Sequence, residues 1–299
     1  MRKQCRIIDT FPDFLSYWSS AHFRSLHEQI ELWHASYMKK YPELLQKQVQ
    51  CYEDESVDWR KVAGKLFPTF LSRFPLMQEA RENTEAISKS ICMKASHRLE
   101  LDFNITLVIY VGIGCGAGWA TTYRGQPSIL LGLENIAEQK WHTKSKLQGL
   151  ISHEMGHLAH MKWRNEWEVF EKNEEDPLFQ LYSEGFAQRC EHVILRKETW
   201  HMARSNEWLP WCQQNSNLLA KEFLKRLKKQ AAVNDFFGSW FNVQGKSQTG
   251  YFLGYVFICE LEKTRSLKEI ALLNIKEIRK LAIQFLKSTS KRFNKESAF

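Results

Sequence analysis

No stretch of this 299-residue chain approaches the ~18 consecutive apolar residues of a membrane-spanning helix. The longest apolar run, Ile105 to Ala120, is shorter and is broken by glycines, so no membrane span is expected. A secretory leader is not expected either. The N-terminal Met1-Arg2-Lys3-Gln4-Cys5-Arg6 is basic, but Asp9, Pro12 and Asp13 arrive before any signal-type apolar block. There is no Cys-x-x-Cys: the seven cysteines, Cys5, Cys51, Cys92, Cys115, Cys190, Cys212 and Cys259, are widely spaced and odd in number. That pattern argues against a disulfide framework and reads as free thiols in a reducing, cytoplasmic compartment. The glycines at 112, 114, 116 and 118 are not closed by Gly-Lys-Ser/Thr and show no dinucleotide spacing, so a phosphate loop is excluded and a tight turn is expected. Internal repeats and low-complexity tracts are also missing.

What is present suits a sizeable core: 43% hydrophobic residues, with 11 Trp and 19 Phe. The formal net charge of +8 gathers at Lys221, Lys225, Arg226, Lys228 and Lys229 and in a tail with Lys287, Lys291, Arg292 and Lys295. Glu222 and Glu296 dilute these runs and no nucleic-acid-binding signature accompanies them, so they read as solvated helix faces, with no nucleic-acid partner expected.

Residues 10–100 step at helical spacing through Leu26, Ile30, Trp33, Tyr37, Val62, Leu66 and Phe70, with Pro42, Pro68 and Pro75 as punctuation. Near Leu99 the pattern turns to strand: Asn104–Val111 is β-branched and apolar, and Ser128–Leu133 is a second short run, together predicting a small sheet. Beyond Leu195 the chain is helical again. It carries Trp200, Trp208, Trp211 and Trp240 as candidate walls of a cleft, and a final helix opened by the capping box Ser266-Leu267-Lys268-Glu269, with Ile270, Leu273, Ile278, Leu281 and Phe285 on one side.

The strongest signal is His153-Glu154-Met155-Gly156-His157, an HExxH string inside a predicted helix, Lys144–Lys162, that Thr143 can cap. Residues four apart on a helix lie roughly 40° out of line, so both imidazoles can reach one ion at about 2.0–2.1 Å. Glu154, about 100° further round, misses the ion and reaches water beside it, where a general base is needed. Burying three polar groups on one helix face costs several kcal/mol unless a metal or partners compensate.

A catalytic zinc site usually has three protein ligands. His160 lies about 10 Å along the axis from His153 and cannot share the ion with both histidines. The longer HExxHxxGxxH pattern fails, because His160 stands at its Gly and Trp163 at its last His. Cys190 faces away from Glu184, six residues before it. The remaining candidate is Glu184, in Leu181-Tyr182-Ser183-Glu184-Gly185-Phe186-Ala187-Gln188, which opens a second predicted helix running to Leu195.

HExxH followed by a helical Glu in an E-G-F-A setting resembles the gluzincin superfamily of zinc metallopeptidases, thermolysin and the aminopeptidase N-like enzymes among them. The aminopeptidases have Asn where Ser183 stands. The likeness spans the region from about Asp102 to Tyr255. It implies one Zn²⁺ per chain held by His153, His157 and Glu184, with Glu154 as the base. It also implies support for a ligand histidine from position 188, where Gln188 replaces the family's Asp and Glu191 is a substitute. A sheet-edge strand that receives the substrate backbone is implied at Ser128–Leu133. Gly132-Leu133-Glu134-Asn135 is similar to a G-x-M-E-N motif whose Glu holds a substrate amino group, which would make Gly132 and Glu134 substrate-binding residues of an aminopeptidase. The family's oxyanion donor would be Tyr251 or Tyr255, four apart on a helix that Thr249 can cap, with His201 as an alternative.

The expected fold is α+β, mainly α: a helical N-terminal region, 1–99, then a catalytic domain, 100–299. The latter comprises a sheet within 100–135, the metal helix 144–162, the third-ligand helix 181–195 and a C-terminal helical lobe 196–299. The expected activity is zinc-dependent hydrolysis of a peptide or protein substrate. The alternatives are an inactive binding protein of the same fold and a zinc hydrolase of a non-peptide amide or ester. Closed structural zinc sites have no use for an adjacent Glu154, which argues against the first.

Overall fold

A computed structural model describes residues 5–167 and 169–291. The basic start Met1-Arg2-Lys3-Gln4 and the tail's Arg292, Lys295 and Glu296 lie outside the described residues. The fold is mainly α with one small mixed sheet, the class expected from the sequence. The chain falls into two compact units, Met1–Glu154 and Met155–Phe299.

The first unit opens with strand β1 (Cys5–Asp9) and helices α1 (Phe11–Ala21), α2 (Leu26–Leu32), α3 (Pro42–Asp54), α4 (Trp59–Leu66) and α5 (Phe70–Arg98). Strands β2 (Ile105–Tyr110), β3 (Gly118–Tyr123) and β4 (Gln126–Gly132) follow, then α6 (Leu133–Glu138) and the start of α7 (Lys144–Arg164). Aromatic side chains fill its helical core. Trp33, Tyr37, Phe67 and Phe70 are all fully buried, and the Phe67 and Phe70 rings stack 4.6 Å apart. Pro75 does not end a helix as its residue type suggests. It sits inside α5, where its missing N–H leaves only the carbonyl of the exposed Leu71 without an i→i−4 donor.

The sheet order is β1-β2-β4-β3, with β1, β2 and β4 parallel and β3 antiparallel to β4. This corrects the placing of Ser128–Leu133 at the sheet edge: β4 is an interior strand and β3 is the outer one. The sequence carries the reason, since Ile129, Leu130 and Leu131 are apolar on both faces, as in a strand covered on both sides. β3 is the strand that the glycine-rich reading missed, although Trp119, Thr121, Thr122 and Tyr123 are β-formers. The thiol expectation is also corrected for one pair. Cys5 and Cys92 form a disulfide tying β1 to α5, a pairing that depends on tertiary structure and has no local spacing signal. Cys51, Cys115, Cys190, Cys212 and Cys259 are not in a disulfide.

The second unit holds the rest of α7, then α8 (Val169–Asn173), α9 (Pro177–Leu195), α10 (Trp208–Gln214), α11 (Ser216–Lys228), α12 (Asn234–Phe237), α13 (Thr249–Glu262), α14 (Leu267–Ala271) and α15 (Ile275–Ser290). Asp176 caps α9 by accepting from the N–H groups of Leu178 at 2.8 Å and Phe179 at 3.3 Å. The predicted final helix is two helices. Ser266 and Glu269 make their capping box at the start of the short α14, and a second box, Asn274 with Glu277, starts α15. Thr249 does not cap α13; Gln248 occupies the N-cap position in a left-handed conformation and makes no capping bond. Trp200 and Trp208 pack ring to ring at 5.4 Å, whereas Trp240 is 67% exposed and lines no interior wall. Among the described residues, no helix is long and apolar enough to cross a membrane.

Candidate metal centre

Thr143 Oγ1 accepts from Lys146 N–H at 3.4 Å at the start of α7, as its sequence position suggests. Further along, Gly156 lets α9 come close: a Cβ there would lie 2.8 Å from Ala187 Cα and 2.8 Å from Cys190 Cβ. That approach brings Glu184 Oε2 to 3.5 Å from His157 Nε2. His153 stands one turn earlier on the same unbroken helix, through which the dividing line of the two units passes. The ligand atoms of His153, His157 and Glu184 lie within 4.8 Å of one another.

Two donors bound at 2.0–2.1 Å to one tetrahedral ion stand about 3.3 Å apart, so the His157–Glu184 spacing is close to that of a metal-binding pair. His153 and His157 are 2% and 9% exposed, and grouping them with a carboxylate out of water is costly unless a cation compensates. Two imidazole nitrogens and one carboxylate oxygen leave a tetrahedral ion one ligand short, the composition of an open site. The residues present therefore fit a divalent cation.

His153, Glu191 and His201 form a second group within the same 4.8 Å limit. Here His201 Nδ1 and Glu191 Oε2 are 2.8 Å apart, a direct hydrogen bond and too close for two donors around one ion. Thr199 Oγ1 donates to the other Glu191 oxygen at 2.7 Å. Glu191 is fully buried, a fixed carboxylate within 4.8 Å of a His153 ring nitrogen. Gln188 is engaged elsewhere: its Nε2 donates to the Thr199 carbonyl at 2.8 Å and lies 2.9 Å from His192 Nε2. Helix geometry separates the two. Seven residues bring Glu191 back to about 20° from the Glu184 direction, whereas Gln188 sits about 40° off on the other side.

Glu154 is buried, and its Oε2 accepts from the Ala120 N–H at 2.9 Å. Gly118, two residues earlier on β3, makes space for this carboxylate, since a Cβ there would lie 2.6 Å from Glu154 Oε1. The outward-facing backbone of the edge strand thus orients the HExxH glutamate.

Glu134 is wholly buried beneath the loop between β2 and β3, accepting from Gly112 N–H at 2.7 Å and Gly114 N–H at 3.1 Å. Burial raises its pKa to about 7, partly offset by these backbone donors. Gly132 serves a close backbone approach, for a Cβ there would lie 2.4 Å from the Gly116 carbonyl oxygen. Neither residue offers a surface to a substrate amino group. Of the two tyrosines, Tyr251 packs edge-on to Phe237 and Tyr255 packs against His192 and Trp200. Burial, then a hydrogen bond to Cys259 one turn on, pushes the Tyr255 pKa up and keeps its hydroxyl protonated.

His160 is no ligand. It is fully buried among Phe170, Phe179, Tyr182 and Phe186, with Nε2 3.1 Å from the Tyr182 hydroxyl. Burial holds its pKa well below the usual histidine value, so it stays neutral. Thr199, which anchors Glu191, was not singled out from the sequence, and His201 was weighed only as an oxyanion donor; both lie in an irregular segment after α9 with no periodicity to betray them.

No family model, curated protein or solved structure matches the chain.

Proposed function

We propose that the protein is a zinc-dependent peptidase. The observation that carries this reading is the convergence of His153, His157 and Glu184 on one point, with Glu154 beside them in the HExxH register. A zinc ion held by the two imidazoles and the Glu184 carboxylate would polarise the scissile carbonyl and lower the pKa of water. Glu154 would take a proton from the attacking water and pass it to the departing amine, its carboxylate kept in place by the Ala120 N–H. Glu191, fixed by Thr199 and His201, would stand beside His153 as a supporting carboxylate. The edge strand β3, whose first residues lie beside Glu154, would be the one to receive an extended peptide backbone. The reading does not extend to an aminopeptidase, because Glu134 spends both carboxylate oxygens on the glycine-rich loop.

The test is metal content measured together with cleavage of a mixed peptide library, with Glu154→Gln as the control. One zinc per chain and cleavage lost only in the variant support the proposal. Stoichiometric zinc without cleavage by the unaltered protein would overturn it in favour of a binding protein.

A further inference from the structure

Outside the metal centre, two cysteines that take no part in the disulfide meet from distant parts of the first unit. Cys51 lies on α3 and Cys115 in the loop joining β2 to β3, and the Cys115 thiol is hydrogen-bonded to Cys51. Cys115 Sγ also lies 3.5 Å from the carbonyl of Gln48, one turn earlier on the same helix. The meeting is imposed by the surrounding backbone. Gln48 Oε1 accepts from Ile113 N–H at 3.2 Å, the Tyr52 hydroxyl donates to the Ile113 carbonyl at 2.8 Å, and a Cβ on Gly114 would stand 3.2 Å from that hydroxyl. From below, Glu134 holds the N–H groups of Gly112 and Gly114. The loop therefore has little freedom to carry Cys115 away from α3.

We propose that Cys51 and Cys115 are an oxidisable dithiol, a modification site for low-molecular-weight disulfides of the glutathione class, and that oxidation staples α3 to the loop between β2 and β3. Both cysteines are partly exposed and within reach of a small reagent, whereas Cys190 and Cys212 are buried. The hydrogen bond to Cys51 and burial push the Cys115 pKa far up, so Cys115 keeps its proton and Cys51 attacks first. The Cys51 thiolate attacks one sulfur of glutathione disulfide; the reagent's S–S bond breaks and one glutathione leaves with the electron pair, later taking up a proton. With Cys51 capped as a mixed disulfide, its hydrogen bond no longer holds up the Cys115 pKa. Cys115 then loses its proton to solvent and attacks the Cys51 sulfur, expelling the second glutathione. Two protein thiols are oxidised to one disulfide, and one glutathione disulfide is reduced to two glutathiones.

This inference does not rest on the peptidase reading, and its test needs no peptidase activity. The full chain is incubated with rising ratios of glutathione disulfide to glutathione, quenched with N-ethylmaleimide and mapped by peptide mass spectrometry, the Cys5–Cys92 pair being counted separately. The expected product is a peptide pair joined through Cys51 and Cys115. Amides of residues 112–118 should then exchange about tenfold more slowly or less readily still. Cys115→Ser should trap a glutathione adduct on Cys51, and Cys51→Ser should abolish the cross-link. Maleimide on both sulfurs of the unaltered protein at the highest ratio, or a lasting glutathione adduct without a cross-link, would overturn the proposal. Because these two outcomes are read on the unaltered chain, a misfolded variant does not obscure them.

Discussion

The backbone N–H of Ala120 on the outer strand β3 is hydrogen-bonded at 2.9 Å to Oε2 of Glu154 on α7. A helix alone leaves a glutamate free to choose among rotamers. Here the strand selects one, and Gly118 leaves room for it.

From that contact it follows that Glu154→Gln should fold and bind metal normally, since the amide oxygen can still accept from Ala120. Without a base, kcat should fall by at least ~10²–10⁴-fold. Zinc stoichiometry and peptide turnover measured on the same sample check this.

Glu191 and Gln188 should separate cleanly. Glu191→Gln removes the fixed charge beside His153 and should weaken metal binding by about 10–100-fold. Gln188→Ala loses the bond to the Thr199 carbonyl, costing roughly 1 kcal/mol of stability, with metal affinity changed by about twofold or less. Competition against a chromophoric chelator reads the affinities, and urea titration reads the stability.

Glu134 predicts a pH dependence of stability. Its pKa is about 7 in the folded protein, against 4.5 unfolded, so between those values the folded chain binds the extra proton. Stability from this group is thus full below about pH 4.5 and falls as pH rises through 7, by an amount on the order of 3 kcal/mol. Glu134→Gln cannot ionise and should lack this decline. The difference in urea midpoint between the unaltered protein and the variant, followed from pH 5 to pH 8, isolates the effect from the histidines.

Asp176 caps the helix that presents Glu184 and also pairs with Arg279. Asp176→Ala should cost ~1–2 kcal/mol, almost all of it from the lost cap because the ion pair is half-exposed. A parallel Arg279→Ala variant, measured by thermal unfolding, should lose less than about 1 kcal/mol.

Gly156→Ala should be more damaging than its size suggests. The added methyl meets Ala187 and Cys190 at 2.8 Å, so α9 must retreat from α7 and take Glu184 with it. A loss of about 1–3 kcal/mol is expected, together with weaker metal binding, both readable by unfolding with and without zinc.

The helices, the two interior strands and the His153–His157 pair were legible because each has a period: 3.6 residues for the helices and their one-turn spacings, a continuous apolar run for the buried strands. Glu184 was legible through its local string. What escaped reading depends on contacts between distant residues. Ala120 binds Glu154 across the sheet edge, Cys5 reaches Cys92 only once β1 has joined the sheet, and Glu134 turned inward because the glycine loop needed acceptors for its N–H groups. The glycines misled most: Gly118 reads as a turn residue and Gly132 as a substrate contact, yet both stand where another backbone or a carboxylate comes too near for a side chain.

The same crowding has a mechanical consequence at Gly185. A Cβ there would lie 2.2 Å from the Gly254 carbonyl carbon, and one on Gly254 would lie 2.3 Å from the Leu181 carbonyl oxygen. Helices α9 and α13 touch main chain to main chain, with no side chain between them to swing aside and absorb a displacement. A shift of α13 by even a fraction of an ångström would press on the peptide units beside Glu184, so a load on α13 would reach that carboxylate from behind.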